Sequence, residues 1–131
     1  MRKLTVILAV LFALVVVSGW VPQWVTETHL TDMGPERTMW GLFQMSLIDD
    51  ITHGVTAIAL LLGAIASTRA AALALTAFGW YYACDALFFL TWGFFNDKPW
   101  TADLALNLPH VILSIVMLAL AARGRTEALR L

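Results

Sequence analysis

The chain has 131 residues, of which 60% are hydrophobic and 13% charged, with a mean hydropathy of +0.79. A soluble domain carries about 25% charged residues, so this composition excludes an ordinary water-soluble globule. A net charge of −1 without a basic run leaves no footprint for nucleic acid, and a single cysteine, Cys84, excludes an internal disulfide.

The apolar residues fall into four blocks, each close to the ~20 residues that cross the hydrocarbon core as a helix. The first covers residues 4–21 behind Arg2 and Lys3. Its basic start, apolar stretch and small residues Ser18 and Gly19 also fit a secretory signal peptide. The apolar run continues through Trp20 and Val21, however, and Trp20 and Trp24 have the character of interfacial anchors, so an uncleaved helix is expected. Residues 22–46 form one long loop, in which Gly34-Pro35-Glu36 reads as a helix start, with proline near the first helical position and an acid in the first turn.

The second block covers residues 47–67, and "STRAA" makes a tight connection to the third, residues 71–93. A short loop follows, whose Asp97 and Pro99 suit a turn, and then the fourth block, residues 104–122. No strand-like alternation is evident. In lipid every backbone N–H and C=O must be satisfied internally, which favours helices, and short links favour antiparallel neighbours. The expected fold is all-α: one integral membrane domain over residues 1–131, a four-transmembrane-helix up-down bundle. Arg2, Lys3, Arg69, Arg123, Arg125 and Arg130 then share one side, against Arg37 and Lys98 on the other. The positive-inside bias places both the N and C termini in the cytoplasm.

Two blocks open alike. "DDITHGVTAIALLLGAIASTR" overlays "LNLPHVILSIVMLALAARGR", so that Asp50 matches Asn107 and His53 matches His110. Apolar likeness between membrane helices is expected of any pair. Two of only three histidines at equivalent positions are not explained by it. This polar-x-x-His opening resembles that of small uncharacterised bacterial four-helix membrane proteins, whose second and fourth helices open with Asn/Asp-x-x-His. The resemblance covers roughly residues 40–123. It implies a multi-pass protein of the bacterial inner membrane and no particular activity.

Axial arithmetic places the candidate site. His53 lies sixteen residues before Arg69 and Asp85 sixteen after it, so both stand about 24 Å from that end at 1.5 Å per residue. His110 stands about 20 Å from Arg123 by the same rise. Three ionisable side chains from three helices thus share one layer in the outer half of the membrane. Asp49 and Asp50 lie one turn from His53, and Asn107 one turn from His110. Even a lenient scale puts about 2.5–3.5 kcal/mol on a central intramembrane Asp, Lys or Arg, so such groups turn inward and find partners.

The plainest role for this layer is an interhelical hydrogen-bond cluster that locks the packing. Three functional readings stand beside it. His53, His110 and Asp85 suit zinc or another transition metal, with Asp49, Asp50 or Asn107 orienting the rings. His53 and His110 could serve as axial ligands of a b-type haem. Asp85 with Tyr81 or Tyr82 suits a proton or quinone site. The candidate ligand-binding residues are therefore Asp50, His53, Asp85, His110, Asn107 and Tyr82.

The remaining features are blander. No nucleophile elbow, phosphate loop or zinc-protease motif is present, so a binding protein is expected ahead of an enzyme. The alternative is a non-catalytic subunit or scaffold, in contact with the lipid bilayer and with a membrane protein partner or a second copy of the chain. Ala59, Gly63 and Ser67, and likewise Gly79 and Ala83, form small-residue stripes that allow close helix approach.

Overall fold

The computed structural model describes residues 1–31, 34–40, 43–95 and 100–129. Its elements in chain order are α1 (Arg2–Ser18), a 3₁₀ turn (Pro22–Trp24), β1 (Val25–Thr31), β2 (Gly34–Met39), β3 (Phe43–Met45), α2 (Leu47–Ala66), α3 (Thr68–Phe95) and α4 (Trp100–Ala128). Three helical stretches, Leu47–Ala66, Thr68–Trp92 and Leu106–Ala128, are long and apolar enough to cross a membrane. The block expected at residues 4–21 is α1, which stops at Ser18 after 17 residues. Its 17 residues lie at the lower end of the lengths that cross a bilayer, and it is not among the three. The turn expected at Asp97 and Pro99 lies outside the described residues.

Two compact units divide the chain: Lys3–Leu62, and Met1–Arg2 together with Gly63–Leu131. In the first, α1 buries Thr5, Leu8, Ala9 and Phe12, the i, i+3, i+4, i+7 face of a helix. After α1 the chain enters an antiparallel sheet of order β1-β2-β3. Val25 pairs with Met39 and Thr31 with Gly34, and β3 covers only Arg37 to Met39 of the central strand.

This sheet corrects the all-α expectation, and β2 replaces the helix start expected at Gly34-Pro35-Glu36. Pro35 is tolerated because β3 does not reach it: β2 is an edge there, and the missing N–H breaks no ladder on that side. Trp40 ends β2 with φ 55°, the left-handed region. Its N–H bonds the Trp24 carbonyl at 2.9 Å, and its ring sits 6.3 Å from that of Trp24.

The start of α2 is fixed by a reciprocal cap. The Ser46 N–H and Oγ–H both donate to Asp49 Oδ2 at 2.7 Å, and the Asp49 N–H returns a bond to Ser46 Oγ at 3.3 Å. This is the capping-box arrangement with aspartate in the third helical position. Below it, Ile51, Val55, Ile58, Leu62 and Ile65 form an exposed apolar stripe, while Asp50, His53, Ala57, Leu60 and Ala64 are buried. One helix face is exposed and apolar, and the other packs against protein.

In the second unit α3 and α4 run 28 and 29 residues and pack closely. A Cβ at Gly79 would stand 2.9 Å from Leu118 Cγ, so glycine is what permits the approach. Gly63 plays the same part, since a Cβ there would stand 3.1 Å from the Ala70 carbonyl oxygen. The link between α2 and α3 is the single residue Ser67, whose hydroxyl accepts the Ala70 N–H at 3.0 Å and caps α3. Arg2 donates to the carbonyls of Ala64 at 2.5 Å and Ile65 at 2.8 Å, satisfying acceptors that the last turn of α2 leaves open. Within the spans, the hydroxyls of Thr56, Thr76 and Ser114 bond to carbonyls three or four residues back, so no hydroxyl proton among these three is stranded in an apolar setting.

Candidate functional site

Each compact unit holds a polar constellation among its described residues. In the second, Asp85 on α3 and His110 on α4 meet, with His110 Nδ1 2.8 Å from Asp85 Oδ2. The contact joins the two helices side chain to side chain. Each side chain is about a quarter exposed, at 24% and 22%. The Tyr82 ring, buried one turn before Asp85, lies 5.2 Å from the imidazole at 47°. Asn107, one turn before His110, is buried as well. Pro109 precedes the histidine inside α4, so the carbonyl of residue 105 loses its usual helical donor beside the site.

In the first unit His53 is buried on α2, with the Phe12 ring of α1 5.6 Å away at 31°. Asp50, one turn earlier, is 5% exposed and pairs with Arg37 of β2. Arg37 also donates from Nη1 to the Gly19 carbonyl at 2.7 Å, and its guanidinium lies 4.6 Å from the centre of the Trp20 ring. The carboxylate thus accepts one arm of the guanidinium while the Gly19 carbonyl holds the other, so the buried charge is paired. Its second oxygen, Oδ1, is buried and has no hydrogen-bond partner among the described residues. A cavity of about 510 Å³ lies beside this pair, walled by Trp20, Val21, Pro22, Val25 and Leu47, with Arg37 as its charged member.

The expected site residues fall in both units. Asp85, His110 and Tyr82 come together, with Asn107 one helical turn away, and Asp50 and His53 belong with Phe12 and Arg37. Tyr81, the alternative partner for Asp85, is exposed and edge-on to Tyr82. Asp49 is occupied as the α2 cap. Among the described residues no three His, Cys, Asp or Glu side chains form a group that could hold a metal ion.

Arg37 was not among the expected site residues. Its one signal in the sequence is its position, since it is one of two cations in segments otherwise rich in acids and precedes Asp50 by 13 residues. Pairing the two requires knowing the sheet, which delivers Arg37 back to the start of α2.

The chain belongs to a protein family described as a domain of unknown function, DUF4383, whose model matches residues 2–125. The match takes in α1 and the sheet as well as the three long helices, and so extends beyond the span of the Asn/Asp-x-x-His resemblance. No curated protein and no solved structure matches the chain.

Proposed function

We propose that this chain is a multi-pass integral membrane protein whose functional centre is the Asp85–His110 pair, where a small lipid-soluble ligand is held by hydrogen bonds. The observation that carries this is the 2.8 Å approach of two ionisable side chains from two membrane-length helices. Such groups are expensive in lipid and mark functional sites by default. An imidazole and a carboxylate in contact offer both a donor and acceptors to a ligand carbonyl or hydroxyl, and Tyr82 fixes one face of the imidazole. With two ligand-type side chains rather than three, the pair suits a hydrogen-bonded molecule better than a zinc ion, whose catalytic sites take three protein ligands.

The topology proposed is four crossings with both termini in the cytoplasm of a bacterial inner membrane. Supporting it, Arg2 caps the end of α2 and the Met1 side chain covers Gly124 near the end of α4, so the start of the chain, the α2–α3 link and the end of α4 lie together. Arg69, Arg123 and Arg125 belong to the same end, as the positive-inside bias requires. A reporter fused at either terminus should register the cytoplasm, and one inserted at residues 26–32 the opposite side.

The ligand reading is tested on detergent-purified protein by optical spectrum, elemental analysis and titration with a short-chain benzoquinone. Saturable binding that is lost in His110→Ala and weakened in Asp85→Asn supports it. A stoichiometric metal would replace the organic ligand by a cation. The second reading, a packing lock, is favoured by the position of the pair between two helices already in close contact at Gly79 and Leu118. It predicts loss of stability in His110→Ala with no change in bound content.

A further inference from the structure

We infer that the chain is a duplicated two-helix unit, and that His53 with Asp50 is a second ligand site, the first half's copy of the one around His110. The inference rests on the ligand reading of Asp85–His110 and extends it to a second place in the fold.

The repeat begins with the two histidines and continues through the burial of their helices. At one constant displacement between α2 and α4, buried Asp50 matches buried Asn107, Ala57 matches Ser114, Leu60 matches Met117 and Ala64 matches Ala121. Helical periodicity alone reproduces such spacing once one position is aligned, so the decisive observation lies on the preceding helices. In each unit the helix before the histidine helix places one buried aromatic ring on the imidazole: Phe12 of α1 at 5.6 Å from His53, and Tyr82 of α3 at 5.2 Å from His110. Aligning Phe12 with Tyr82 then brings Thr5 onto Leu75 and Ala9 onto Gly79, all of them buried. The division into compact units falls between these halves, with α1 and most of α2 in one and α3 and α4 in the other.

Apart from Asp49, which caps α2, each half also carries a carboxylate near its histidine, in a different place. In the second half it is Asp85, on the ring-bearing helix, where the first half has Val15. In the first half it is Asp50, one turn before His53 on the same helix, where the second half has Asn107. Residues three apart on a helix share a face, so Asp50 and His53 can meet a common ligand. Asp50 Oδ1, buried and without a hydrogen-bond partner among the described residues, is the acceptor such a ligand would fill. The sheet at residues 25–45 is what the first half has added, and through Arg37 it holds the other carboxylate oxygen. A guanidinium beside the site opposes a metal cation and favours a neutral molecule bearing a hydroxyl or carbonyl group. That is the ligand class proposed for His110.

The test is stoichiometry, measured by titrating the detergent-solubilised full chain with a short-chain benzoquinone and its quinol. Two equivalents are expected for the unaltered chain, one for His53→Ala, one for His110→Ala and none for the double variant. His53→Gln keeps a polar side chain of similar reach and is read in place of His53→Ala if circular dichroism shows that the alanine variant has lost helix. One equivalent that survives His53→Ala and disappears in His110→Ala overturns the second site and leaves the Asp85–His110 reading standing. One equivalent lost in either single variant also overturns it, because a single centre would then need both histidines. Absence of binding in the unaltered chain removes both readings together.

Discussion

Replacing Arg37 by methionine tests how the sheet is fastened to α2. The side chain is nearly fully buried, and its guanidinium serves three groups at once: the Asp50 carboxylate, the Gly19 carbonyl and the Trp20 ring. Removing one member of a buried ion pair costs about 3–5 kcal/mol, because the other is left charged and uncompensated. Within that figure sits the stranded Gly19 carbonyl, a loss of about 1–3 kcal/mol for a buried acceptor. The Trp20 contact adds only about 0.5 kcal/mol, the low end for cation–π pairs, since that indole is 64% exposed. An overall loss of about 3–5 kcal/mol is expected in equilibrium unfolding with SDS in mixed micelles, followed by circular dichroism. Adding Asp50→Leu should restore most of it, because a buried pair exchanged whole for apolar side chains is often neutral. If Arg37→Met costs less than about 0.5 kcal/mol, the pair is surface-like and the reasoning fails.

Gly79→Ala should destabilise by about 1–3 kcal/mol in the same assay, as its Cβ would stand 2.9 Å from Leu118 Cγ and 3.3 Å from the Leu118 backbone nitrogen. Gly54→Ala should do the opposite and stabilise by about 0.5–1 kcal/mol, because nothing lies within 4 Å of the added methyl and α2 gains a better helix former. A double-mutant cycle on Asp85→Asn and His110→Gln should give a coupling of about 0.6–1.7 kcal/mol, the range for polar pairs between membrane helices, and a coupling of zero would deny the contact. Ser46→Ala should cost about 1 kcal/mol by removing the α2 cap, a loss confined to unfolding measurements and absent from ligand titration.

The long helices are legible in the sequence because lipid imposes a length rule on apolar runs, and α2, α3 and α4 each carry an unbroken run of the required size. The sheet is hidden for the converse reason. Its strands are short and carry Thr, Glu, His and Arg without a continuous apolar face, while Gly34-Pro35-Glu36 imitates a helix start. The site divides along the same line. Counting residues from the arginine ends gives the height of a side chain along its helix, about 24 Å for Asp85 and about 20 Å for His110, two residues that are in contact. Height says nothing of the direction in which a side chain points around the axis. For Asp49 and Asp50, neighbours at one height, that direction decides everything: about 100° of rotation turns one into a helix cap and the other into the partner of Arg37. The stripe of Ile51, Val55, Ile58 and Leu62 turns outward, which sets His53 on the opposite, buried face. At about 100° per residue the stripe lies about 150° from Asp49 and about 110° from Asp50, so both point away from it, and their partners are what separate them: Ser46 at the helix start takes Asp49, and the sheet brings Arg37 to Asp50.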